Sequence, residues 1–170
     1  MARTISIGLI GFGTVGTGVV KILEKNAAMI RQRVGVPVVL KRIADCDVTR
    51  DRGIALPPDL LTTDAASVLQ DPDIAIVVEL VGGIEPARSF IMQAIAAGKH
   101  VVTANKALLA EHGHEIFSAA ARRGVDVSFE ASVGGGIPII RTVREGFASD
   151  RVTGFLGILN GTSNYILSMM

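Results

Sequence analysis

The chain has 170 residues, of which 49% are hydrophobic and 19% charged, and its formal net charge is +1. This length suits one domain, or one domain with part of a second. Because the charge is balanced and no basic cluster stands out, we expect neither nucleic acid nor a membrane surface as a partner. The apolar residues are mainly Ala, Val and Ile, with 4% aromatics, which is typical of a sheet covered by helices on both faces.

Cys46 is the only cysteine, so an internal disulfide is impossible and a reducing compartment fits. The apolar stretch after Arg3 is interrupted by Ser6 and Gly8 and lacks a cleavage-like site, which argues against a signal peptide. No apolar run approaches the length of a transmembrane helix. We therefore expect a cytoplasmic protein.

The first predicted strand, Ile5–Ile10, leads directly into a glycine-rich loop and then a helical pattern. The loop has the form G-x-G-x-x-G, which in this context is typical of dinucleotide binding, although a glycine-rich turn without a ligand is the alternative. The first glycine allows a tight turn, the second lets the backbone approach a pyrophosphate, and the third lets the helix pack closely. The phosphates would lie at the helix N-terminus. The predicted nucleotide-binding residues of this loop are Gly11, Phe12, Gly13, Thr14, Val15 and Gly16.

Helix and strand patterns alternate after this loop. The first predicted helix continues towards Gln32, with an apolar face formed by Val15, Gly18, Val19, Ile22 and Leu23. Five strands are expected, at residues 5–10, 36–44, 74–80, 100–103 and 125–129. Further helices are expected at residues 65–69, 86–97 and 107–123, and residues 51–63 are predicted to be a loop. The alternation predicts an α/β fold, a doubly wound and mostly parallel Rossmann sheet with helices on both faces.

The pattern changes in the last part of the chain. After Gly134–Gly136 we expect a helix with an inward face formed by Ile139, Ile140, Val143 and Phe147. Residues 151–159 then predict a strand, and Tyr165 begins a further helix. We interpret residues 1–150 as a nucleotide-binding domain and residues 151–170 as the beginning of a truncated α+β substrate domain.

Four segments in order resemble the homoserine dehydrogenase family. They are Gly-Phe-Gly-Thr-Val-Gly at 11–16, Val-Thr-Ala-Asn-Lys at 102–106, Phe-Glu-Ala-Ser-Val-Gly-Gly-Gly-Ile-Pro at 129–138 and Ile-Leu-Asn-Gly-Thr-Ser-Asn-Tyr-Ile-Leu at 158–167. The first is common among dehydrogenases, whereas the other three in this order are highly specific. The resemblance implies reversible, NAD(P)-dependent interconversion of L-aspartate 4-semialdehyde and L-homoserine, on the route to threonine, methionine and isoleucine, by a homo-oligomer such as a dimer. It also implies that the acids that bind homoserine, and the lysine that transfers the proton, lie beyond residue 170.

Lys106 follows a predicted strand at the carboxyl edge of the sheet, where ligands bind. The resemblance places it near the nicotinamide and the substrate, where an ammonium group stabilises the alkoxide that develops during hydride transfer. A helix start is unfavourable for a merely structural cation, so we interpret Lys106 as catalytic and cofactor-binding. We also expect Thr103, Ala104 and Asn105 to contact the cofactor, although Asn105 is equally suited to cap the helix.

The resemblance further implies a site for a monovalent cation, usually sodium. Its ligands would be the carboxylate of Glu130 and the backbone carbonyls of Val133, Gly135 and Ile137. An oxygen-only site of low charge suits a hard cation. In the alternative interpretation, Glu130 accepts N–H hydrogen bonds from the glycine-rich segment and is structural.

The end of the second predicted strand bears on the choice between NAD and NADP. An acidic residue at that place accepts the ribose hydroxyls and repels a 2′-phosphate. Asp45 fits, although it lies 29 positions beyond Gly16, more than the usual spacing of about 20, and Asp47 is a second candidate. The residues that could instead bind the phosphate of NADP are Arg42, Arg50 and Arg52. The sequence slightly favours NAD and leaves NADP open.

Two other functions compete with a homoserine dehydrogenase. The first is that this chain, as an isolated and truncated fragment, is a nucleotide-binding module without catalytic activity. The second is a semialdehyde dehydrogenase, which requires an active-site cysteine, and Cys46 lies on the wrong element for that role.

Overall fold

The computed structural model describes residues 4–157 and 161–170. Within them, six strands form one sheet in the order β3-β2-β1-β4-β5-β6, and all neighbouring strands are parallel. The strands are β1 (Ile5–Ile10), β2 (Val38–Ala44), β3 (Leu61–Thr62), β4 (Ile74–Glu79), β5 (His100–Thr103) and β6 (Val127–Ser128). This confirms the predicted parallel, doubly wound sheet. The strand order reverses between β1 and β4, which places the ligand crevice at their carboxyl ends.

The helices alternate with the strands as predicted. They are α1 (Thr14–Lys25), α2 (Ala27–Val34), α3 (Ala66–Leu69), α4 (Ala87–Ala96), α5 (Lys106–Arg123), α6 (Ile139–Arg141) and α7 (Gly161–Met169). A 3-10 helix covers Glu130–Ser132, and a π-helix covers Thr142–Gly146. Two boundaries differ from the prediction. Helical residues extend beyond Gln32 as expected but are interrupted at Asn26, and the segment expected to be a loop contains β3, because two of its residues pair with β2.

The two faces of the central strands contribute to two hydrophobic clusters. Ile10 and Val77 pack with residues of α4 and α5, whereas Leu9 and Val78 pack with Val20 of α1. Successive residues of a strand point to opposite faces, so helices bury the sheet on both sides. This arrangement explains the near-continuous apolar runs in the strands.

The buried face of α1 differs from the prediction. Val15 and Ile22 are 58% and 57% exposed, whereas Gly16 and Val20 are buried. A Cβ atom at Gly16 would lie 2.2 Å from the carbonyl oxygen of Gly11. The helix is therefore oriented by this close backbone contact, and the largest apolar residues do not decide which face turns inward.

The predicted inward face after the glycine-rich segment is also wrong. Ile139, Val143 and Phe147 are exposed, and Ile140 is half-buried. In the described part of the chain, these helices contact each other and the 3-10 helix but are not inserted into either hydrophobic cluster. The periodicity predicted a helix here correctly, but it does not show which surface would cover the apolar face of that helix.

The strand predicted over residues 151–159 is wrong where the structure describes it. Residues 151–157 contain no strand and are exposed, and residues 158 and 159 lie outside the described residues. A strand needs a neighbour that satisfies its backbone groups. Among the described residues the sheet ends at β6, which pairs with β5. Helix α7 begins at Gly161, earlier than the predicted Tyr165.

Two lysines stabilise the amino edge of the sheet. Lys99 is 4% exposed, and its ammonium group donates to the carbonyl oxygens of Asp71 and Ile74, the latter at 2.8 Å. Lys41 forms ion pairs with Asp71 at 2.9 Å and Asp73 at 2.7 Å. Burial lowers the pKa of Lys99, and the hydrogen bond from Lys41 lowers the pKa of Asp71. These contacts fix the starts of β4 and β5, at the edge opposite the ligand crevice.

None of the helices among the described residues is both long and apolar enough to cross a membrane.

We expect Gly16→Ala to destabilise the protein by about 1–3 kcal/mol, because overpacking against a fixed backbone carbonyl forces the chain to shift. Gly18→Ala is the matched control, since a Cβ atom there meets nothing within 4 Å. Removing a glycine from the same helix should stabilise the protein by about 0.5–1 kcal/mol. The free energy of unfolding, measured by urea denaturation and circular dichroism, checks both values. Equal stability of the two variants would contradict the proposed contact.

Candidate functional site

The glycine loop joins β1 to α1 through backbone contacts that exclude side chains. Gly11 has a φ of +99°, and a Cβ atom there would lie 2.5 Å from the carbonyl carbon of Leu80. Gly16 lies against the carbonyl oxygen of Gly11. Gly13, in contrast, is exposed, and a Cβ atom there would meet nothing within 4 Å. Gly11 and Gly16 therefore shape the turn, while Gly13 leaves the backbone open to a ligand.

The N-terminus of α1 lies in this loop and has no side-chain cap. Gly13 occupies the N-cap position, and the first turn contains no acidic residue. The first backbone N–H groups of a helix lack partners within the helix, and its dipole is positive at this end. The end of α1 can therefore hold an anion such as a pyrophosphate.

Asp45 connects the end of β2 to the glycine loop. One oxygen of its carboxylate accepts the backbone N–H of Phe12. The other accepts the N–H of Asp47 at 2.8 Å and Nη2 of Arg52 at 3.2 Å. The side chain is 13% exposed. Both oxygens thus have internal donors, and the adjacent guanidinium compensates the negative charge.

Arg52 packs over the same loop from the segment that follows β2. Its guanidinium lies 4.8 Å from the centre of the Phe12 ring, and the side chain is 7% exposed. It also donates to the carbonyl oxygens of Phe12, Arg50 and Asp47. Arg52 therefore ties the loop after β2 to the glycine loop through stacking and hydrogen bonds.

A cleft of about 410 Å³ lies between the glycine loop, α1 and the segment after β2. Its lining residues are Phe12, Gly13, Thr14, Thr17, Gly18, Lys21, Arg50, Asp51 and Arg52. Of the arginines predicted as phosphate ligands, Arg50 and Arg52 line the cleft and Arg42 does not. Lys21, which the sequence analysis did not single out, joins them because it lies two turns along α1 from the glycine loop.

The other acidic candidate, Asp47, forms a turn beside the cleft and does not line it. Its carboxylate accepts the backbone N–H and the hydroxyl of Thr49 at 3.0 and 2.9 Å, and the N–H of Arg50 at 3.1 Å. These hydrogen bonds, with that of the Thr49 hydroxyl first, lower the pKa of Asp47. Asp47 thus orders the turn from which Arg50 projects.

The segment after β5 is held by buried hydrogen bonds. Thr103 donates its hydroxyl to Glu79 at 2.7 Å and accepts the N–H of Asn105 at 3.0 Å. Asn105 accepts the N–H of Leu108 at 3.1 Å and donates to the carbonyl oxygen of Gly83 at 2.6 Å. The alternative role of Asn105 as a helix cap is therefore confirmed. Contact of Thr103, Ala104 and Asn105 with a cofactor stays a prediction.

Two contributors to this network were missed by the sequence analysis. Glu79 ends β4 and is fully buried, and Ser132 donates its hydroxyl to the carbonyl oxygen of Thr103 at 3.0 Å. A charged residue at the end of an otherwise apolar strand, three positions before Gly82, was a signal for Glu79. Nothing in the sequence singled out Ser132.

Lys106 begins α5 at the same edge and is exposed. Across residues 4–157 and 161–170, its ammonium group has no hydrogen-bond or ion-pair partner. A cation at a helix N-terminus opposes the dipole, so its own helix does not stabilise it. The capped start of α5 fixes its backbone and leaves the ammonium group available.

Glu130 occupies the 3-10 helix after β6 and reaches the start of α6. Its carboxylate oxygens accept the N–H groups of Ile140 at 2.9 Å and Arg141 at 2.8 Å. Glu130 thus accepts N–H hydrogen bonds, as the structural alternative predicted, but the N–H groups belong to the beginning of α6 and not to the glycine-rich segment. Of the three predicted carbonyl ligands, Val133 is half-buried, while Gly135 and Ile137 are exposed.

The cation site itself stays a prediction. Each carboxylate oxygen of Glu130 uses one acceptor position for a hydrogen bond and retains another. All the proposed ligand atoms of the cation are oxygens. In the part of the chain that the structure describes, no three His, Cys, Asp or Glu side chains cluster so as to hold a metal ion.

Comparisons with known proteins agree with this geometry. The family model "Homoserine dehydrogenase, NAD binding domain" matches residues 11–130, and the family model "Homoserine dehydrogenase" matches residues 138–170. The homoserine dehydrogenase of Bacillus subtilis is 46% identical over 99% of this chain, and that of Synechocystis sp. is 51% identical over 98%. A crystal structure of a homoserine dehydrogenase from Thiobacillus denitrificans has a TM-score of 0.92 and 51% identity, over 99% of this chain.

These alignments extend over only part of the related proteins. The chain spans 39% of the Bacillus subtilis protein, 38% of the Synechocystis protein and 39% of the Thiobacillus denitrificans chain. Within that span the matches include the glycine loop, the network after β5 and the segment around Glu130. The chain belongs to the homoserine dehydrogenase family, and it comprises the NAD-binding domain of that family.

Proposed function

We propose that this protein is an NAD(P)-dependent homoserine dehydrogenase, which interconverts L-aspartate 4-semialdehyde and L-homoserine in the biosynthesis of threonine, methionine and isoleucine. One observation carries the proposal: the open helix terminus at Gly13 and the exposed ammonium group of Lys106 follow β1 and β5, strands that end at the same edge of the sheet. The family membership supplies the substrate class.

Hydride transfer is the chemistry that a bound nicotinamide supplies. The backbone of the glycine loop would bind the pyrophosphate at the N-terminus of α1. Lys106 would hold a positive charge beside the substrate oxygen and stabilise the alkoxide as it develops. Its backbone is fixed, because Asn105 caps the helix directly before it, so only the side chain must reorganise.

In the full-length protein we expect Lys106→Met to lower kcat for L-homoserine oxidation by about 100- to 1000-fold, as removal of a group that stabilises an oxyanion does. Lys25→Met, which removes an exposed lysine from the last turn of α1, should leave kcat unchanged. Steady-state kinetics with NAD⁺ and NADP⁺ tests both variants, and calorimetry measures nucleotide binding separately. Full turnover by Lys106→Met would disprove the catalytic role.

The same measurements distinguish the alternative function, a nucleotide-binding module without catalytic activity. In that case the wild-type protein binds NADPH or NADH in the calorimeter but does not oxidise L-homoserine. Phosphate-dependent turnover of L-aspartate 4-semialdehyde would instead indicate a semialdehyde dehydrogenase.

We further propose that the protein prefers NADP to NAD. Asp45, the residue expected to repel a 2′-phosphate, already accepts hydrogen bonds on both oxygens and forms an ion pair with Arg52. The cleft is lined by three basic residues and one acidic residue, Asp51, whose carboxylate accepts the N–H of Gly53 at 2.8 Å. The exposed Lys21 and Arg50 are available to a phosphate. This reverses the slight preference for NAD drawn from the sequence.

We expect Arg50→Leu to raise the Kd for NADPH by about 10- to 100-fold, the loss of one hydrogen bond to a charged group, and to change the Kd for NADH by less than about twofold, since NADH lacks the 2′-phosphate. Arg33→Leu removes an exposed arginine of α2 outside the cleft and should alter neither value. Isothermal titration calorimetry with both nucleotides gives these constants. An equal effect of Arg50→Leu on both nucleotides would refute the assignment.

We also propose that Glu130, with the carbonyls of Val133, Gly135 and Ile137, binds a monovalent cation, sodium. An all-oxygen donor set of low charge supports this choice. Gly134 and Gly135, with φ values of +71° and +63°, form the turn that presents the carbonyls.

At constant ionic strength, sodium at ten times its Kd should stabilise the wild-type protein by about 1.4 kcal/mol relative to choline. Glu130→Gln should lose this difference, whereas Glu111→Gln, a change at an exposed carboxylate of α5, should retain it. Thermal unfolding in NaCl and in choline chloride measures the effect. A sodium effect that persists in Glu130→Gln would exclude this site.

We propose finally that the active protein is a homo-oligomer, a dimer. Large apolar side chains are exposed near the end of the chain, and they include Phe155, Leu156, Tyr165 and Leu167. Exposed apolar patches of this kind mark surfaces that pack against other protein. Because the chain spans 39% of its Bacillus subtilis relative, the protein that packs there is a second subunit or the part of the family's fold beyond this span.

A further inference from the structure

Glu79 is a buried carboxylate that the proposed reaction does not yet explain. It is the last residue of β4, and its side chain is 0% exposed. In the sheet it lies beside Ile10 of β1 and Thr103 of β5. It therefore occupies the centre of the carboxyl edge, between the strand that leads to the glycine loop and the strand that leads to Lys106.

Its hydrogen bonds join two loops. Oε1 accepts the N–H of Val81 at 2.8 Å and that of Gly82 at 3.4 Å, while Oε2 accepts the hydroxyl of Thr103 at 2.7 Å. All three partners are donors, which suits an ionised carboxylate because it can only accept. Three donors also compensate for part of the cost of burying the charge.

The acceptor-only character of Glu79 sets the direction of the next hydrogen bonds. The Thr103 hydroxyl must point its hydrogen at Glu79, which leaves a lone pair for the N–H of Asn105. Asn105 is then held in the position that caps α5 and reaches Gly83. A single carboxylate thus fixes the loop at residues 81–83 and the start of the helix that carries Lys106.

A glutamine at this position has one acceptor oxygen in place of two. If its Oε1 faces the Thr103 hydroxyl, its Nε2 group faces the N–H groups of Val81 and Gly82, and if the amide is turned round, the Thr103 hydrogen loses its acceptor. In either orientation part of the buried network is unsatisfied, which is unfavourable. The network therefore requires the two acceptor oxygens of the carboxylate, and not only the shape of the side chain.

We propose that Glu79 is a positioning residue for hydride transfer, which acts through Thr103 and Asn105 to hold Lys106 and the loop at residues 81–83 in the reactive arrangement. The role rests on the proposed dehydrogenase function. This role differs from a general contribution to stability, because the hydrogen bonds of Glu79 are made to the two loops at the ligand edge.

The test compares Glu79→Gln in the wild-type and Lys106→Met backgrounds of the full-length protein. In the wild-type background we expect kcat for L-homoserine oxidation to fall by about 10- to 100-fold, the effect of misplacing a reacting group, with KM nearly unchanged. In the Lys106→Met background, Glu79→Gln should cause little further loss, since residues that act through one another are not additive. An equal loss in both backgrounds would overturn the proposal.

Lys99→Met is the matched control, because Lys99 is a buried charged residue at the opposite end of the same strands. It should lower the Tm while leaving kcat unchanged well below the Tm. If Glu79→Gln fails to fold, Thr103→Val cuts the same link and should give the same loss of kcat. If the wild-type protein oxidises homoserine and the tested variant has an unchanged kcat, the proposed role of Glu79 is wrong and the proposed function stands. A full-length wild type that does not oxidise homoserine overturns the proposed function and this role with it.

Discussion

The close contact between the start of α1 and the turn after β1 is the constraint on which the rest of the site depends. Gly16 lies against the carbonyl of Gly11, and Gly11 in turn lies against the backbone of Leu80 after β4. No side chain fits at either contact. Because three backbone segments approach so closely, the N-terminus of α1 is held at the strand switch point, where its dipole is directed towards an anion.

Two carboxylates at strand ends stabilise this arrangement in the same way. Asp45 at the end of β2 accepts the N–H of Phe12, and Glu79 at the end of β4 accepts the N–H groups of Val81 and Gly82. Each satisfies backbone donors that a tight loop leaves without a strand partner. These two carboxylates at the crevice therefore have structural partners, and Lys21 and Arg50 on the rim of the cleft remain available to a ligand.

An element could be predicted from the sequence when local interactions determine its orientation, and could not when contacts with distant segments do. The buried face of α4 follows its apolar periodicity, since Ala87, Ile91 and Ala94 are buried and apolar burial is what periodicity reports. The face of α1 was predicted incorrectly, because a backbone contact at Gly16 orients the helix. The strand predicted at residues 151–159 is absent from residues 151–157. Strand formation depends on packing against a neighbouring strand, which a short stretch of sequence does not contain.

The sequence by itself determined the order of strands and helices, the glycine loop and the residues that gather at the carboxyl edge, because these follow from local periodicity and turn chemistry. Only the tertiary structure decided what each polar group does there. It joined Asp45 to Phe12 and Glu79 to Thr103. Hydrogen bonds between groups some 24–33 positions apart depend on chain topology, so the spacing along the sequence could not reveal them.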